Sequence, residues 1–134
     1  MKVVVDTNVL ISGVINPYGK PANILNLILE RKLVLCIDSR IYNEYERVFL
    51  SPKFSFPEEH VRILLNFIKN RSIFVSPLPT RAKLLDESDL PFLEVAISEN
   101  APIITGNSKH FKNMNEVKVF TPAEFIEWYG KENA

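Results

Sequence analysis

The chain has 134 residues, and its 16 Lys and Arg balance 16 Asp and Glu, so the formal net charge is zero. A surface coated throughout with positive charge for nucleic acid is excluded, while a local basic patch is not. Hydrophobic residues at 46% and charged residues at 24% describe a globular chain, neither disordered nor fibrous, and the length suits one domain over 1–134.

Val3-Val4-Val5 is a short β-branched run without polar interruption, which predicts a strand covered on both faces in a parallel sheet. The start lacks the layout of a signal peptide, because Asp6 interrupts it, and no run approaches the ~20 apolar residues that cross a bilayer. The expectation is a cytoplasmic protein without membrane contact. Ile24, Leu25, Leu27 and Ile28 give a helical stripe over 21–31, opened by Pro21. Residues 33–37 read as a second strand containing Cys36, the one cysteine of the chain. It has neither a disulfide partner nor Cys/His neighbours at zinc spacing, and reads as a buried bystander.

Ser39 is positioned to cap a helix over 40–50, with Ile41, Tyr45, Val48 and Phe49 inward. An aromatic break at 51–57 covers the core, forms a dimer contact or lines a substrate groove. Pro57 then suits the first turn of a helix with Val61, Leu64, Leu65 and Ile68 on its apolar face. Ile73-Phe74-Val75 predicts a third strand, 80–88 a polar loop, and about 90–100 a helix with Phe92, Leu93, Ala96 and Ile97 in register. Ile103-Ile104-Thr105 and Val117-Lys118-Val119-Phe120 predict two further strands, and Thr121-Pro122-Ala123-Glu124 has the layout of a capping box. Short strands alternating with helices of about ten residues indicate an α/β protein, a three-layer α/β/α sandwich with a central, mostly parallel sheet of five strands.

Ligands of such sheets bind beyond the carboxyl ends of the strands, so the polar groups there matter most. Asp6 follows the first strand and stands between two apolar runs. A charge in that position is costly unless it is paired or ligating, although it could also satisfy amides of the following turn. Glu44 lies one residue from Tyr45 and three from Ile41, at the edge of the predicted buried face, and reads equally as a ligand or a surface glutamate. Asp89 precedes a helix opened by Pro91 and has an alternative role as N-cap. Asp86 and Glu87 are nearby rivals for that acidic role, read as loop residues. Asn107 ends the fourth strand after a glycine and could meet a phosphate, orient a water or simply form the turn. Three carboxylates without a histidine cluster describe an oxygen site for a hard cation, Mg²⁺ or Mn²⁺, rather than zinc. Such a site hydrolyses phosphodiesters with a metal-activated water.

The stretch Val3-Val4-Val5-Asp6-Thr7-Asn8-Val9-Leu10-Ile11-Ser12 resembles the opening of a PIN domain. The blocks Ser39-Arg40-Ile41-Tyr42-Asn43-Glu44, Asp89 through Ala96, and Ile103-Ile104-Thr105-Gly106-Asn107 resemble the later PIN blocks, in order and over almost the whole chain. The resemblance implies a PIN-like fold with the acids at one end of the sheet, and a metal-dependent ribonuclease of the kind found as toxins of toxin–antitoxin pairs. It also implies dimerisation and inhibition by a small antitoxin. One position departs, because the family commonly has aspartate where this chain has Asn107. Losing that charge weakens a second metal more than the first, and three carboxylates with an amide still suit a one-metal reaction.

Basic groups must flank so acidic a cleft. Lys109 and Lys112, just beyond Asn107, and Arg40 are the candidates for RNA contact. Arg40 has a salt bridge with Asp38 as its alternative, and Phe111 is expected in the core. Thr7, Asn8, Ser12, Ser39 and Thr105 are candidates to orient ligands or waters. Neither His60 nor His110 reads as a general base, and Glu46 and Arg47 read as solvated. The leading expectation is an endoribonuclease using Asp6, Glu44 and Asp89 with Asn107 as auxiliary. The alternative is a non-catalytic RNA-binding or interaction module on the same scaffold. A dehalogenase-like phosphatase with a nucleophilic Asp6 is disfavoured by Asn8, where a second aspartate would be needed, and a receiver by the absence of paired acids in an early loop.

Overall fold

Val3, Val4 and Val5 have no solvent exposure, which is possible only for a strand with neighbours on both edges and cover on both faces. The computed structural model describes residues 1–80, 84, 86–111 and 114–133 and provides both. Strand β1 (Lys2–Val5) lies at the centre of a sheet with β2 (Val34–Ile37), β3 (Ile73–Phe74), β4 (Ile103–Ile104) and β5 (Val119–Phe120), in the order β3-β2-β1-β4-β5. All pairings are parallel, with Lys2 opposite Val34 and Val4 opposite Ile103. The helices are α1 (Thr7–Ile15), α2 (Lys20–Leu29), α3 (Ser39–Phe49), α4 (Glu58–Arg71), α5 (Leu90–Glu99) and α6 (Pro122–Glu132). Single 3₁₀ turns occupy Glu87–Asp89 and Ser108–Phe111. This is the expected α/β architecture with a five-stranded parallel sheet.

From β1 the chain moves outward through β2 to β3, then returns to the other side of β1 for β4 and β5. The connections leaving β1 and β4 therefore diverge, and a crevice opens between them at the carboxyl ends of these strands. Asp6 directly follows one strand and Thr105 the other.

The boundaries differ from the sequence reading at three instructive places. Helix α1 was not signalled by periodicity, because Val9, Leu10, Ile11 and Gly13 are all buried while Asn8 and Ser12 are exposed, leaving too narrow a polar stripe. The cap of α3 is Asp38, whose carboxylate accepts the Ile41 amide at 3.0 Å, one residue earlier than the expected Ser39. Pro57 is the N-cap of α4 rather than part of its first turn. The capping box of α6 forms as expected, with Thr121 and Glu124 exchanging hydrogen bonds. In the aromatic break, Phe54 and Phe56 are partly buried and stack at 5.4 Å between centroids, and Phe56 meets core Phe49 at 5.9 Å. Phe111 is in the core and Cys36 is fully buried.

Two contacts fix the helices that approach the crevice. Gly13 lets α1 lie directly against α2: a Cβ there would come within 2.9 Å of the Pro21 carbonyl oxygen. Tyr45 of α3 is completely buried, and its hydroxyl donates to the Val5 carbonyl at 2.6 Å, tying α3 to the end of β1. Gly13→Ala should cost about 1–3 kcal/mol, since backbone must move to admit the methyl group. Tyr45→Phe should cost about 1–3 kcal/mol by leaving a buried carbonyl without its donor. Urea denaturation measures both, and a midpoint unchanged from the parent in either variant would contradict the packing described.

Candidate active site

Three segments bring acidic side chains to the crevice. Asp6 ends β1 and is 8% exposed. Thr105 ends β4, is fully buried, and donates its hydroxyl to Asp6 Oδ2 at 2.9 Å. The Thr105 hydroxyl oxygen accepts the Asn107 backbone amide at 3.0 Å. A short relay therefore runs from the turn after β4 to the carboxylate after β1 and fixes its orientation.

Glu44 is presented by α3, half-buried, and accepts a very short hydrogen bond from the hydroxyl of Thr7, at the start of α1. Asp89 precedes α5 but makes no side-chain capping bond, so its alternative role as a cap is not taken. Its Oδ2 lies instead 2.9 Å from His110 Nδ1. Together Asp6, Thr7, Asn8, Glu44, Arg47, Val48, Asp86, Ser88, Asp89, Asn107 and His110 line a polar cleft of about 210 Å³.

Burial and like charge oppose ionisation here. Burial is the main cause pushing the Asp6 carboxyl above its ordinary range, against the Thr105 hydroxyl and the Thr7 and Asn8 amides. Burial also raises Asp89, assisted by the charges of Asp6 and Asp86 and opposed by His110. Asp86 moves the other way, because the Ser88 hydroxyl and amide donate to it at 2.7 and 2.9 Å. Tyr45 beneath the cleft is pushed well up by burial and by Asp6 and Glu44, so its hydroxyl stays protonated as a donor.

The structure thus brings Asp6, Glu44, Asp89 and Asn107 to one cleft, with Thr7 and Asn8 beside them and Thr105 behind Asp6. Ser12 and Ser39 are exposed and do not line it. Arg40 follows its salt-bridge alternative. Its guanidinium binds Asp38 at 2.7–2.8 Å and Glu94 at 2.8 Å, and the other Glu94 oxygen accepts the Thr80 amide at 2.7 Å. Asp38 and Glu94 are both buried, at 7% and 5% exposure, and need this partner. Arg40 therefore straps the start of α3 to α5 and does not line the cleft. Lys109 is exposed on the neighbouring 3₁₀ turn, outside the lining, and Lys112 lies outside the described residues.

Three lining residues, His110, Ser88 and Arg47, escaped the sequence reading as cleft residues, and Asp86 was weighed only as a loop rival of Asp89. His110 sits three residues beyond Asn107 in the 3₁₀ turn after β4, and Asp86 and Ser88 lie just ahead of Asp89. Arg47 is one helical turn after Glu44, which is the spacing that shares a helix face. The spacing to Glu44, and the direction of a turn leaving a strand end, were the available signals.

The possible ligands in the cleft are carboxylate, amide and hydroxyl oxygens, with one imidazole. Among the described residues no three His, Cys, Asp or Glu side chains stand close enough to enclose an ion. Each of Asp6, Glu44 and Asp89 takes a protein hydrogen bond instead. A closed cage for zinc is therefore not the fit. Mg²⁺ retains several waters and takes one or two carboxylates, and this open, acidic cleft suits it.

The family pattern for the PIN domain matches residues 2–109. A protein of Methanocaldococcus jannaschii, "Uncharacterized protein MJ1680", is 38% identical over 144 residues, spanning 98% of this chain and 93% of that protein. Solved structures share the fold at lower identity. VapBC2 from Rickettsia felis, bound to a DNA fragment from its promoter, has a TM-score of 0.60 at 23% identity, covering 90% of this chain and 98% of that one. FitAcB from Neisseria gonorrhoeae has a TM-score of 0.61 at 20% identity, covering 92% and 99%. The match over residues 2–109 and the shared fold lead to one conclusion: the chain belongs to the PIN domain family.

Proposed function

We propose that residues 1–134 form a single nuclease domain, a divalent-metal-dependent endoribonuclease. The observation that carries this reading is the convergence of Asp6, Glu44 and Asp89 from β1, α3 and the start of α5 on one polar cleft at the β1–β4 divergence. Asp6, Glu44 and Asp89 would hold Mg²⁺ or Mn²⁺. When bound, the cation supplies an activated water and neutralises phosphate charge.

The protein's own groups prepare for this. Thr105 orients Asp6 from behind, and Thr7 keeps Glu44 turned toward the end of β1. His110 holds Asp89. Asn107 presents an amide where a fourth carboxylate would add repulsion to an already acidic cleft, and it can donate to a phosphate oxygen. RNA as substrate, a homodimer as the assembly, a small antitoxin as partner and a toxin's role in the cytoplasm belong to the same proposal. They are supported by the PIN family match and by the fold shared with the VapBC and FitAcB structures. No helix among the described residues is long and apolar enough to cross a membrane.

The test is cleavage of a panel of structured and single-stranded RNAs with Mn²⁺, with Mg²⁺ and with chelator, comparing the parent with Asp6→Asn. Metal-dependent products should disappear in the variant. Its melting temperature in metal-free buffer should be equal to or above that of the parent, because a poorly solvated charge is replaced by a neutral isostere that still accepts from Thr105. Equal turnover by the variant would refute the site. RNA binding without metal dependence or product would favour the non-catalytic module.

A further inference from the structure

We propose that Arg47 grips the RNA backbone at the cleft, its guanidinium meeting two oxygens of one phosphate. This rests on the ribonuclease reading and adds to it a residue that positions substrate. Arg47 and Glu44 are three residues apart on α3, and both line the cleft. The other ionisable groups of that lining are the carboxylates Asp6, Glu44, Asp86 and Asp89, and His110, which is engaged with Asp89. Among the described residues Arg47 has no ion-pair partner: the arginine and lysine pairs are made by Lys2, Arg40, Arg62 and Lys131. Glu44, its neighbour one turn earlier, is held by the Thr7 hydroxyl instead.

The remaining candidate cations are poorly placed by comparison. Arg40 is committed to two buried carboxylates, and Lys109 lies outside the cleft lining. A phosphate entering among four carboxylates needs a fixed positive group as well as a mobile cation. The planar fork of arginine matches two phosphate oxygens, which the point charge of lysine cannot do. Arg47 also occupies the last turn of α3, where any cation favours the helix end. Lysine would fill that structural role equally well, and this separates the two roles.

The experiment is steady-state cleavage of a short fluorescent single-stranded RNA in Mn²⁺ at several salt concentrations, by the parent, Arg47→Ala, Arg47→Lys and Asp6→Asn. Arg47→Ala should raise KM by about 10-fold or more, as expected for one charge-assisted contact, with a smaller effect on kcat. Its dependence of log KM on log salt should be shallower by about 0.7, the share of one phosphate on a single strand. Arg47→Lys should keep the parent's melting temperature and salt slope yet still raise KM. It decides the matter if the alanine variant melts early. Parental KM and salt slope in Arg47→Ala, or parental KM in Arg47→Lys, beside an inactive Asp6→Asn, would overturn the role of Arg47 while leaving the ribonuclease reading intact. A parent that neither binds nor cleaves any RNA would overturn both.

Discussion

Asp6 carries a carboxylate on the end of a strand whose preceding three residues have no exposure to water. An ionised group in that position loses much of its hydration, and the surroundings return only part of it, through Thr105 and the first amides of α1. Much of the local architecture serves this residue. The divergence of the connections leaving β1 and β4 supplies the crevice, Tyr45 holds α3 against the last carbonyl of β1, and Gly13 lets α1 leave the strand close against α2. A fold selected for stability alone would place an apolar or neutral residue at position 6. A carboxylate kept at this position despite its burial fits the cation site proposed here.

The second organising element is the ion pairing outside the cleft. Asp38, Arg40 and Glu94 form a compact set linking the start of α3 with α5. These two helices carry Glu44 and follow Asp89. Under the role proposed for Arg47, charge that meets substrate and charge that braces the scaffold are separate groups, although both occur on α3. Arg40 braces, and Arg47, two turns further along, faces the cleft. Zero net charge is compatible with an RNA substrate under this division, since recognition needs a few oriented cations and not a basic coat.

Much of this was legible in the residues. The first four strands announced themselves through short apolar runs, the fifth through a run broken only by Lys118, and α6 through Thr121 and Glu124. Asp6 stood out as a charge between two apolar runs, and the amides of the following turn, its bland explanation, do bear on it together with Thr105. The misses have equally specific causes. Helix α1 is too apolar around its circumference to show a stripe. Asp38 and Ser39 are both good caps, and only the carboxylate's bond to Ile41 chooses between them. His110 and Ser88 join the cleft through irregular segments whose direction no periodicity encodes. The fate of Arg40 depended on Glu94, 54 residues away, which local sequence cannot reveal.

The central proposal is that the cleft formed by Asp6, Glu44 and Asp89 receives a divalent cation that keeps part of its water shell. The most direct measurement is a crystal structure of the protein grown with Mn²⁺, with the ion located by its anomalous scattering. The account predicts a peak in the cleft within coordination distance of Asp6 and of Glu44 or Asp89, with water completing the shell and the Thr7 or His110 hydrogen bond displaced. A fully ordered cleft that retains all three protein hydrogen bonds, with no anomalous peak at saturating Mn²⁺, would contradict it.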